Sequence, residues 1–205
     1  MKGKKFLAGL LAGLSVVLGS WGLVACGGTD SSPASSSGLN SSEDAQPKGV
    51  VYEIVDDTAQ VVGYEGTDET VVIEATYNGV AVTKIANNAF KDCTFTSVEI
   101  PDSITEIGNS AFYGCRSLES VEIPDSVTSI GLRAFSLCDG LTSIVIGESV
   151  ETIGDYVFDG ANALSSVNFK GTTAQWKKIE KDTSTWWTIE CPAENVVCSN
   201  GEADL

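Results

Sequence analysis

The stretch SVEIPDSITEIGNSAFYGCRSLESVEIPDSVTSIGLRAFSLCDGLTS, Ser97 to Ser143, writes one phrase twice: IPDS, IG, AF and Cys return in the same order. The period extends beyond it. Val98, Val121, Ile144 and Val167 fall 23 residues apart, as do Phe112, Phe135 and Phe158. A fixed period of this length marks a unit that cannot bury its apolar face alone and does so by stacking on copies of itself.

Each unit opens with a three-residue alternation: Val98-Glu99-Ile100, Val121-Glu122-Ile123, Ile144-Val145-Ile146, Val167-Asn168-Phe169. Period two puts the outer residues on one side and the middle residue on the other, which predicts a short strand. Pro101 and Pro124 follow and lack the N–H that would extend the ladder. Ile104, Val127 and Val150, then Ile107, Ile130 and Ile153, then Leu118, Leu141 and Leu164 recur at fixed offsets. Stacked coils turn these positions into one continuous interior, with about 4.8 Å between coils. Gly108, Gly131 and Gly154 share a register with Ala86 of an earlier partial copy, and alanine tolerates a positive φ poorly. Tight packing against the neighbouring coil is therefore expected at these glycines. The segments Asn109-Ser110 and Leu132-Arg133 before the Ala-Phe pairs are expected to form a turn of 3₁₀ or α helix.

The phrase IPDSVTSIG..AF..C..L.S resembles the BspA-like, or Treponema-type, bacterial leucine-rich repeat, and the resemblance covers about residues 50–205. It implies an α/β-type repeat solenoid: a leucine-rich-repeat right-handed coil of short parallel strands with turns and short helices, about four coils, and a hairpin cap at the N-terminus. In that frame residues 50–97 form the N-terminal cap and a first irregular coil, 98–166 the 23-residue repeats, and 167–205 the C-terminal cap. The third full coil departs from the pattern, with Gly147-Glu148 in place of Pro-Asp and Ala161 in place of Cys.

The first 49 residues read as an address and a tether. Lys2, Lys4 and Lys5 precede an apolar run from Phe6 to Ala25, the pattern of a secretory signal. The run ends in Leu23-Val24-Ala25-Cys26, which resembles the bacterial lipobox. Residues 1–25 are therefore expected to be a lipoprotein signal peptide, with Cys26 the lipidated anchor. Acyl chains contribute roughly 0.8 kcal/mol per buried CH₂, enough with two or three chains to hold a protein on a bilayer. Residues 26–49 are rich in Ser and Gly and form a flexible linker, spanning on the order of 25 Å as a coil. The expected location is the extracellular face of the cell membrane, reached through the acyl chains on Cys26.

Composition narrows the chemistry. There is no histidine among the 205 residues, which excludes Ser-His-Asp, Cys-His and His-ligated zinc sites. Lys and Arg number 12 against 28 Asp and Glu, a net charge of −16, and three of the lysines lie in the signal segment. Such a field repels phosphate backbones, so nucleic acid is not an expected partner. No metal or other cofactor is expected, since neither calcium-loop pattern is present.

Cys93, Cys115 and Cys138 share one ladder position and read as small buried core residues. Cys191 and Cys198 flank a short segment near the end of an exported chain, where a structural disulfide is one of the two states open to them. Thr172 or Thr173 is expected to cap a short helix carrying Trp176 and Ile179 inward, while Trp176, Trp186 and Trp187 cover the last coil. The outward strand residues Glu99, Glu122, Val145 and Asn168, with flanking Ser120 and Ser143, line the face that repeat proteins use for contact. The sequence thus points to a lipid-anchored extracellular binding or adhesion module, not an enzyme. Its partner would be an extracellular protein or glycan, and the resemblance implies host-protein or cell-cell contacts. The alternatives are a structural envelope protein that self-associates and, remotely, a carboxylate-based hydrolase using Glu99 and Glu122.

Overall fold

The architecture follows from where alternate backbone N–H groups go. In the computed structural model, which describes residues 49–181, 193 and 195–204, the chain runs β1 Val50–Val55, β2 Thr58–Tyr64, β3 Thr70–Val72, β4 Thr76–Tyr77, β5 Val80–Ile85, β6 Ser97–Glu99, β7 Glu106–Ile107, β8 Ser120–Glu122, β9 Ser129–Ile130, β10 Ser143–Ile146, β11 Thr152–Ile153, β12 Ser166–Phe169, α1 Thr173–Trp176, β13 Glu180–Lys181, β14 Asn195–Cys198 and β15 Gly201–Asp204. Strands β3, β6, β8, β10, β12 and β14 stack in parallel, and β15 closes that sheet as an antiparallel edge. The result is a parallel β-solenoid of about five turns with little helix. The irregular first turn contributes β3 to the stack, so there is one more turn than the four clear sequence copies. Register is kept throughout: Ser143 pairs with both Ser120 and Ser166, and Ile144 with Val121 and Val167.

The second sheet has no counterpart in the sequence reading. β2, β5, β7, β9, β11 and β13 form a second parallel stack, with Ile85, Ile107, Ile130 and Ile153 in register on its inner side. Strands of two residues are too short to show a period of two.

The third side of each coil differs more sharply from expectation. The segments before the Ala-Phe pairs are consecutive turns, not helix, because their N–H groups alternate between two directions. Ala111 donates to Gly108 and Tyr113 to Ser110 within a coil, whereas Ser110, Phe112 and Gly114 donate to Leu132, Ala134 and Ser136 of the next. This alternation requires left-handed backbone at Asn88, Ser110, Arg133 and Tyr156, with φ of 61°, 55°, 55° and 56°, and again at Asp92, Gly114, Leu137 and Gly160. A non-glycine residue there costs about 1–2 kcal/mol, and an inter-coil hydrogen bond of about 1 kcal/mol offsets much of it.

Gly108, Gly131 and Gly154 serve close approach, as the sequence suggested. A Cβ on Gly131 would lie 2.6 Å from the Gly108 carbonyl carbon, and one on Gly154 would lie 2.8 Å from the Gly131 carbonyl carbon. Ala86, at the same place one coil earlier, donates its N–H to Val61 O as Gly108 does to Ile85 O.

Inside, the ladders merge into one core. Phe90, Phe112 and Phe135 stack at 5.1 Å, Phe158 follows at 6.0 Å, and Phe95 meets Phe90 edge-on at 5.6 Å. Each such pair adds roughly 0.5–1.5 kcal/mol beyond its area. The β1–β2 hairpin caps the N-terminal end, where Tyr64 lies against Phe90 and Phe95. At the other end Thr172 Oγ1 accepts from the Gln175 N–H while Gln175 Oε1 accepts from the Thr172 N–H, and this capping box starts the helix that buries Trp176, with Ile179 buried just beyond it. Trp176 packs on Phe169 at 5.3 Å. Trp186 and Trp187 lie outside the described residues.

Two substitutions test the stacking. Gly131→Ala drives a methyl group into backbone and is expected to cost about 2–3 kcal/mol in thermal or urea unfolding. The Ser126 hydroxyl donates to Ile104 O at 2.6 Å, whereas the equivalent Ser103 Oγ is buried with no partner among the described residues, because the coil before it is irregular. Ser126→Ala should therefore lower stability by about 1 kcal/mol, while Ser103→Ala should leave it unchanged or raise it.

Candidate interaction face

Period two carries the middle residue of each strand outward from the first sheet. Register then aligns Val72, Glu99, Glu122, Val145, Asn168 and Val197 in one row and Thr70, Ser97, Ser120, Ser143 and Ser166 beside it. The six positions read from the sequence, Glu99, Glu122, Val145, Asn168, Ser120 and Ser143, therefore lie on one surface. Val72 and Val197 extend the row to both ends and are 51% and 47% exposed. The alternation of the neighbouring strands could have revealed them, but they lie outside the regular repeats.

Lys170 was not anticipated. It follows Phe169 at the end of β12, and its ammonium reaches back to Glu122 (2.8 Å) and Asp125 (3.6 Å) two coils earlier. These carboxylates hold the Lys170 ammonium above the ordinary lysine range, the Glu122 hydrogen bond contributing most. The adjacent like charges of Glu99 and Glu122 are thus relieved at one of the two positions. Glu99, Asp102, Glu122, Asp125 and Lys170 line a shallow trough of about 590 Å³ with Ser97 and Ser120 in its wall. Asn168 donates to Ser166 Oγ at 3.0 Å, while Glu99 and the Ser97, Ser120 and Ser143 hydroxyls have no intramolecular partner among the described residues.

A larger trough, about 870 Å³, runs along the second sheet. Several of its polar groups are committed to the fold. Lys84 pairs with Glu106 at 2.7 Å, and Asn87 Oδ1 and Asn109 Oδ1 accept the N–H groups of Asn109 and Leu132 in the following coils. The first sheet is therefore the better candidate face.

The cysteine ladder is structural. Cys93, Cys115 and Cys138 are free thiols, and Cys115 and Cys138 donate to Phe90 O (3.0 Å) and Phe112 O (3.2 Å) of the preceding coil. Burial pushes the Cys138 thiol up to about 12 and raises Cys115 further. Cys198 is a buried free thiol, and Cys191, its suggested partner, lies outside the described residues. Among the described residues Ser136 is the only buried polar or charged one, so none of the described acids is buried.

The geometry defines a class first: a leucine-rich-repeat solenoid with an ordered sheet face. The sequence model of the BspA type leucine rich repeat region matches residues 81–183 in six copies, and the chain belongs to that family. Among solved structures, a leucine-rich repeat protein from Eubacterium ventriosum superposes with a TM-score of 0.56 at 20% identity, covering 75% of this chain and 40% of that one. The T. pallidum leucine rich repeat protein gives 0.49 at 26% identity, covering 60% and 69%. A leucine rich cell surface protein from Faecalibacterium prausnitzii gives 0.48 at 29% identity, covering 66% and 41%. The chain thus spans about two fifths of the Eubacterium and Faecalibacterium proteins. No curated protein matches it. Fold and family mark it as a protein-interaction module.

The buried thiols generate a pH dependence. Above the ordinary value of 9.0 an unfolded thiol ionises, while the folded Cys138 keeps its proton. Stability from this group is complete below 9 and is lost as pH climbs toward 12, at roughly 1.4 kcal/mol per unit. Urea unfolding between pH 8 and 11 should show this decline, and Cys138→Ala should make it shallower.

Proposed function

We propose that the protein is a lipid-anchored binding module on the extracellular face of a bacterial membrane, contacting an extracellular protein or glycan through the first sheet. The single observation that carries this reading is the outward row Val72–Glu99–Glu122–Val145–Asn168–Val197. It is a regular, solvent-facing surface whose carboxylate Glu99 and the flanking Ser97, Ser120 and Ser143 hydroxyls have no partner among the described residues. The apolar run ending at Cys26 supports the anchor. Binding is favoured over catalysis because a general acid needs a burial-raised pKa, and the described acids are all solvated.

Self-association end to end is disfavoured by charge. The N-terminal edge strand β3 is flanked by Asp68, Glu69 and Glu74, and the C-terminal edge β15 carries Glu202 and Asp204, so stacking would bring acid against acid.

The test uses the full-length protein in detergent micelles on an array of extracellular matrix proteins and glycans. Val145→Arg should weaken any specific contact by at least about tenfold without altering the melting temperature. Contact insensitive to Val145→Arg, or concentration-dependent self-assembly without external ligands, would overturn the reading. In cells fed a labelled fatty acid, the label should be incorporated by the wild type and lost in Cys26→Ser.

A further inference from the structure

Two successive coils carry the same pair of carboxylates at the same places: Glu99 with Asp102, and Glu122 with Asp125. The second pair is already occupied by an ammonium group. Lys170 belongs to a coil two steps away, about 9.6 Å along the stack, and its ammonium reaches back past the intervening coil to Glu122 and Asp125. The coil geometry therefore converges a Glu and an Asp three residues apart on one primary ammonium. Glu99 and Asp102 hold the same repeat positions one coil earlier, line the same trough, and pair with no cation among the described residues.

Resting on the sheet-face reading above, we infer that this face receives a lysine-bearing segment of a partner protein, one lysine ammonium seating between Glu99 and Asp102. Lys170 is the built-in occupant of the neighbouring seat. Three features fit a polypeptide rather than a free polyamine. Val72 and Val145 stand on either side of the two glutamates in the row, Val72 being 51% exposed, and give apolar contact beside the charge. The Ser97 and Ser120 hydroxyls, without hydrogen bonds among the described residues, face the same trough and suit a backbone or polar side chain. The net charge of −16 draws cationic partners from a distance and raises their rate of encounter.

The probe is a capped peptide of alternating lysine and alanine, titrated against full-length protein in micelles by calorimetry, with its lysine-acetylated form and spermidine as comparisons. The double variant Glu99→Gln/Asp102→Asn should weaken the peptide about tenfold. Lys170→Met should strengthen it about threefold or more by vacating the second seat. Glu151→Gln, which removes one charge from outside the trough, should change it less than twofold. The inference is overturned if Glu151→Gln and the double variant weaken binding alike, if Lys170→Met has no effect, or if spermidine or the acetylated peptide binds as tightly. Should the peptide fail while an array partner is still lost on Val145→Arg, the lysine seat falls and the sheet-face reading stands. If Val145→Arg also changes nothing, both fall.

Discussion

The constraint on which this structure rests is that every coil must repeat the one before it at strand spacing on three sides at once. Two sides meet it with short parallel strands, and the third with turns whose alternate N–H groups donate to the next coil, as Ser110, Phe112 and Gly114 do. Buried backbone polar groups need partners, and in a solenoid those partners lie mostly in the adjacent coils. Constant spacing then brings equivalent side chains into contact, and the column Phe90–Phe112–Phe135–Phe158 is its visible product. The glycine row at 108, 131 and 154 belongs to the same requirement, since a methyl group there would hold the coils apart.

The same constraint makes the surface. A core that takes alternate residues of each strand must present the others to solvent, and fixed register arranges them as rows rather than scattered points. Variation in the outward residues, Glu99, Glu122, Val145 and Asn168, leaves the core untouched. Chemistry on this face is accordingly the chemistry of contact: charge, exposed valine and free hydroxyls, with the acids in water.

Much of the first sheet was legible because its residues recur at a fixed interval and alternate in polarity. Of Cys93, Cys115 and Cys138, all read as buried core residues, Cys93 is only half-buried, whereas burial bears out Cys115 and Cys138. Their hydrogen bonds to the Phe90 and Phe112 carbonyls were hidden, since they join residues 25 and 26 apart. The second sheet was missed because Glu106–Ile107 and its equivalents are too short to carry a pattern. Helix was the wrong expectation for the Ser110 and Arg133 segments. Local preference argues against left-handed backbone at serine, arginine, leucine or tyrosine, and inter-coil hydrogen bonding overrides that preference.

By itself the sequence determined the period, the inward ladders and the row of outward strand residues, because these depend on spacing along the chain and on polarity. Only the tertiary structure decided that Lys170 lies on Glu122 and Asp125 while Glu99 and Asp102 have no cation beside them among the described residues. A side chain's reach across two coils depends on the stacking distance, which is not a property of neighbouring residues in the chain.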